Sequence, residues 1–165
     1  MGLKDNISII FLICIFVASL LLLKPDGLNV QKELQIGVPI HTHALLNITI
    51  CGQHFDLPKA TQFEDNGEPF RGTALLHTHD DNIIHIEGLI QKKEDIALGR
   101  FFDAIEIPFD KDKLMDVKTG DLCDGKPGVL KMYVNDQPRT DFRDYILAST
   151  QDARQQVIKL VFEAE

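Results

Sequence analysis

Histidine and carboxylate spacing is the most chemically specific feature of this sequence. His41-Thr42-His43 and His77-Thr78-His79 are two His-X-His pairs, and His85 and Glu87 follow the second pair closely. Of the six histidines only His54 lies apart, and it is read as structural. In an extended strand, residues i and i+2 point to one face with Cα atoms ~6.5–7 Å apart. Two imidazoles so placed can converge on one ion, at ~2.0–2.1 Å for zinc. His85 and Glu87 share a face opposite Ile84 and Ile86, and a short turn carrying Asp80 and Asp81 brings 77–79 beside 83–87. The spacing therefore predicts a transition-metal site formed by His77, His79 and His85. His41 or His43 would complete the shell, and Asp80 and Glu87 would support it. Neutral imidazole suits zinc or copper, and nickel also. The competing reading is a structural or protein-interaction module without metal, whose histidines fix turns and strands by hydrogen bonds. A third is an enzyme using His85 with Glu87 or Asp80.

Motifs that would specify a reaction do not occur. The positions where a cupin site carries its glutamate are the apolar Ile83 and Ile84. The chain is too short for the (β/α)₈ barrel of metal-dependent amidohydrolases, for which ~250 residues are typical. No Gly-X-Ser-X-Gly, P-loop, His-Glu-X-X-His or Cys-X-X-Cys is present. Acidic residues at 110–116 lack the glycine and terminal glutamate of an EF-hand loop, and Asn47-Ile48-Thr49 is a formal glycosylation sequon.

The elements that must position the histidines read as short strands. In 43–51, Leu46, Ile48 and Ile50 alternate with Leu45, Asn47 and Thr49, the period of a half-buried strand. Gly52-Gln53 is the expected turn, with 54–57 returning; 65–69 reads as loop. Residues 73–79 and 82–87 are two strands about the Asp80-Asp81-Asn82 turn. Ile96, Leu98, Phe101, Phe102 and Ile105 are spaced as in a short amphipathic helix. Residues 110–124 read as polar loop, 129–134 as a strand closed by an Asn135-Asp136 turn, and 145–147 and 156–163 as further strands. Six to eight strands with one helix predict a mainly β fold: a single small sandwich or partly open barrel.

Residues 7–23 form an uncharged apolar run, just long enough to span a hydrocarbon core as a helix. The expected organisation is a cytoplasmic tail at 1–6, a transmembrane anchor at 7–23, a tether at 24–38 and an extracytoplasmic domain at 39–165. The alternative is a cleaved signal peptide, with a weak cut site at Ala18-Ser19 and four leucines beyond it. The expected partner is the cell membrane, through 7–23; no protein partner is identified. A formal net charge of −8 and the absence of Trp argue against nucleic acid. With Cys14 inside the apolar run, Cys51 and Cys123 remain as a pair that an oxidising compartment would allow to bridge. Alternation places Cys51 on the face of Leu45, Asn47 and Thr49, which leaves two packed thiols as the other reading.

The strings HTHALLNITICGQ, HTHDDNIIHIEG, LGRFF and GVLKMYVNDQP together resemble an uncharacterised family of small membrane-anchored archaeal and bacterial proteins. Its pattern is a first His-X-His, then Leu-His-Thr-His-Asp, Gly-X-Ile-His-X-Glu and Leu-Gly-X-Phe-Phe, across roughly residues 41–163. Asn82 and Ile83 stand where the family has glycine before its Ile-His pair. Asp103-Ala104-Ile105 stands where Trp-Gly follows the phenylalanines. The resemblance implies no activity; it singles out His77, His79, Asp80, His85 and Glu87.

Overall fold

The computed structural model describes residues 36–61, 63–65, 67–147 and 156–165. The expected tail, the apolar run at 7–23 and most of the tether lie outside them. Among the described residues no helix is long and apolar enough to cross a membrane.

The described residues are mainly β with one α-helix. Its longest strand, β1 (Pro39–Ile50), buries Thr42, Ala44, Leu46 and Ile48 and turns the odd-numbered residues the other way. Then come β2 (Gln53–Phe55), β3 (Phe63–Asp65), β4 (Glu68–Gly72), β5 (Leu76–Thr78) and β6 (Ile83–Leu89). A 3-10 turn precedes α1 (Leu98–Ala104). Very short strands follow: β7 (Phe109–Asp110), β8 (Lys113–Leu114), β9 (Val117–Lys118) and β10 (Leu122–Cys123). Last are β11 (Lys126–Val134), β12 (Gln137–Arg139) and β13 (Val157–Ala164).

The mainly β class is as expected; where a single sandwich or partly open barrel was the expected form, the strands make one mixed sheet and one small sheet. The large sheet runs β10-β11-β13-β1-β6-β5-β4-β3, with β2 and β12 as side arms, and does not close. What makes the sheet mixed is the return of β13, which lies parallel to β1, Leu45 beside Val157 through Ile50 beside Phe162, and antiparallel to β11. One face is covered by α1 and by the small β7-β8-β9 sheet, through Leu98, Phe101, Phe102, Ile105, Phe109 and Leu114. The opposite face of β1, β6 and β5 carries the histidines.

Turn chemistry explains the remaining differences. Ile50 pairs with Gln53, so the first turn is Cys51-Gly52 rather than Gly52-Gln53; both residues have positive φ, +49° and +77°. That is the mirror-image turn that matches strand twist. Within 65–69, expected as loop, the end of β3 meets the start of β4, with Asp65 opposite Glu68. The expected loop at 110–124 contains β7 to β10, whose two-residue strands are too short for periodicity to register. Tyr145–Leu147 contributes only an isolated bridge from Ile146 to Ala97.

Cys51 and Cys123 form a disulfide, with Cα atoms 5.4 Å apart. The left-handed conformation of Cys51 takes its side chain out of the strand alternation that would have aimed it elsewhere. Cys123 pairs with Lys126 across a second such turn, Asp124-Gly125. The bridge thus joins two hairpin tips.

Candidate metal centre

Strand register assembles the histidines. His43 of β1 lies opposite His85 of β6, and His85 lies opposite His77 of β5. One row across three strands is therefore all imidazole. In the adjoining row, His41 lies opposite Glu87. Directly opposed side chains in an antiparallel pair have Cβ atoms ~4.5–5.5 Å apart, within imidazole reach.

Five rings form a continuous chain of contacts. His41 and His43 have centroids 4.8 Å apart, His43 and His85 4.5 Å, and His79 and His85 4.7 Å. His77 stacks nearly parallel to His85 at 5.3 Å, while His79 stands edge-on to both. Two groups of potential ligands converge: His77, His79 and His85, and separately His41, His43 and Glu87. Within each, one ligand atom per residue lies within 4.8 Å of the others. His41 or His43 is the expected further ligand of the first group; both group with Glu87, and His43 also touches His85.

His77 is the buried member, at 6 % exposure. Phe70 covers it at 5.2 Å and is itself stacked on Phe63. Gly72, opposite His77, has φ +127°, and a Cβ there would meet the His77 Cα at 2.9 Å. The strands approach closely here because residue 72 has no side chain. Among the described residues, Nδ1 of His77 has no hydrogen-bond partner. The Thr73 backbone beside the ring favours its charged form, the smallest of the influences on it. Burial, and next the charge of His85, hold the His77 imidazole below its ordinary pKa. His43 is lowered likewise, by burial first and then by His85 and His41. Both rings are thereby kept in the neutral form that metal ligation requires.

The surrounding groups orient the rings. His79 Nδ1 lies 2.9 Å from the Pro69 carbonyl, and donation to it leaves Nε2 free, as in many metal-ligating histidines. His85 Nε2 lies 3.0 Å from a carboxylate oxygen of Asp81. Asp81 is fixed in turn by the Thr78 hydroxyl and the Ile83 amide. Burial acts to raise the Asp81 carboxyl, but the hydrogen bonds from His85 and Ile83, with the His85 charge, outweigh it and leave the pKa lowered. Asp81 therefore holds the place that the sequence reading gave to Asp80. Asp80, at φ +47°, turns its carboxylate to the Ala60 amide instead. Asn82 accepts from the Leu57 amide at 2.8 Å and donates to Asp56, so 56–60 braces the turn from outside. Only the adjacency of two aspartates signalled Asp81 in the sequence.

His54 lies outside both groups, on β2, 3.3 Å from Asp56. A surface depression lined by Lys93, Arg100, Asp103 and Arg143 includes none of the histidines. Comparison with family models, with curated proteins and with solved structures finds no match to this chain.

Proposed function

We propose that this protein is a membrane-anchored extracytoplasmic domain that binds a transition-metal ion, zinc or copper, through His77, His79 and His85. The observation that carries the reading is His77: buried, held below its ordinary pKa, without a hydrogen-bond partner at Nδ1 among the described residues, and convergent with two more imidazoles. A buried polar atom left unpaired costs about 1–3 kcal/mol, and an ion bound at that nitrogen would offset it. Three imidazoles leave one position of a tetrahedral ion open for water or another ligand. The anchor is supported by the uncharged run at 7–23, and the location outside the cytoplasm by a disulfide suited to oxidising compartments. The test is metal content. The purified full chain in detergent, offered zinc and then copper, should retain at least one equivalent through dialysis. Retention of neither removes the reading.

A second reading, an interaction module without metal, draws on the contacts of His79 with Pro69 and of His85 with Asp81. It predicts that His79→Ala destabilises the metal-free protein, and that adding zinc leaves the unfolding temperature of both proteins unchanged.

A further inference from the structure

We infer that His41, His43 and Glu87 hold a second transition-metal ion, so that the histidine face carries a pair of adjacent ions. The inference extends the proposed function but stands on separate contacts. His41 Nε2 lies 3.1 Å from His43 Nε2 and 3.0 Å from Glu87 Oε1. A single imidazole nitrogen carries either one proton or one lone pair. One N–H cannot point along both lines, and a lone pair facing the carboxylate is repelled by it. A cation bound by the three side chains satisfies both of these contacts, with His43 and Glu87 on either side of His41 and within 4.8 Å of each other. Ligands at ~2.0–2.1 Å from an ion in tetrahedral or octahedral angles lie about 2.9–3.4 Å from one another, and both distances fall in that range.

The register supplies the frame. His41 and His43 are i and i+2 on β1, Glu87 and His85 are i and i+2 on β6, and the two pairs are directly opposed. Glu87 is placed between the groups, since the oxygen that meets His41 also lies 3.7 Å from His85 Nδ1. With Asp81 on the far side of His85, two carboxylates flank the rings and offset the mutual repulsion of two dications. A carboxylate between two ligand groups is suited to bridging paired ions.

The test is a titration of the metal-stripped full chain, in detergent, with zinc alone and with copper(II) alone. Two equivalents are expected. His41→Ala changes a side chain that is 65 % exposed, so folding is spared, and should leave one equivalent. His79→Ala should also leave one, and the double variant none. One equivalent in the wild type, lost on either substitution, would mean a single shared centre and overturn the inference. One equivalent lost only with His79→Ala would also overturn it while leaving the first site standing. No bound metal in the wild type would end both readings.

Discussion

His43 and His85 face each other across β1 and β6 with ring centroids 4.5 Å apart and planes at 79°. The contact joins the two ligand groups, and a one-residue slip of either strand would send its histidine into the core. The apolar alternation of Ala44 and Leu46 against Ile84 and Ile86 sets that register. The geometry of the histidine face thus rests on core packing.

Asp81 meets His85 Nε2, so in the proposed centre it would act through His85 rather than on an ion. Asp81→Asn keeps the shape but weakens the carboxylate hold on His85 Nε2. Losses of such supporting partners reduce metal affinity by about 10–100-fold. Competition with a chromophoric chelator should show that weakening with the zinc stoichiometry unchanged. An unaltered affinity would mean that Asp81 serves only the turn.

Gly72→Ala tests the close approach of β4 to β5. The added methyl meets the Leu76 carbonyl and His77, at a φ of +127° that L-residues rarely adopt. Strain and overpacking together should cost about 2–4 kcal/mol in chemical denaturation. A neutral effect would contradict the tight packing around His77.

Much of this was legible in the sequence. Period-2 alternation marked β1, β6, β11 and β13, and the short turn after His79 correctly implied that 77 and 85 are neighbours. The parallel pairing of β1 with β13 was not legible, because it joins residues over a hundred positions apart and leaves no local pattern. The division into two ligand groups follows from another non-local register, that of β1 with β6, since nothing local says that His41 opposes Glu87. Asp80 and Asp81 differ only in backbone conformation, and a left-handed φ at Asp80 decides which carboxylate reaches His85.

The Cys51–Cys123 bridge spans a sequence separation of 72. Chain-entropy arguments give about 4 kcal/mol for a loop of this size. Cys123→Ser should lower stability by up to that amount, and neither thiol should label in the unfolded, unreduced protein. Labelling of both without reductant would contradict the bridge and remove a support for the extracytoplasmic location.

Acid should destabilise the metal-free protein. The pKa values of His77 and His43 are lowered on folding, by burial above all, so the unfolded chain binds more protons once the pH drops. Their stabilisation is present above the unfolded value of about 6.5 and is lost as pH falls through the depressed folded values. Asp81, also lowered, adds its loss only in the carboxylate range. The unfolding temperature of the metal-free protein should therefore fall between pH 7 and 5, and fall less steeply in His77→Asn. Equal slopes would mean that the buried imidazole is not excluded from protonation.

X-ray absorption at the zinc edge, on the zinc-loaded full chain, examines the proposed centre most directly. Imidazole nitrogens at ~2.0–2.1 Å, with outer-shell scattering from the carbons of at least three rings, are the predicted result. In His77→Ala that outer-shell signal should fall. A shell of oxygens alone, or a spectrum indifferent to His77, would contradict the assignment of metal binding to the histidine face.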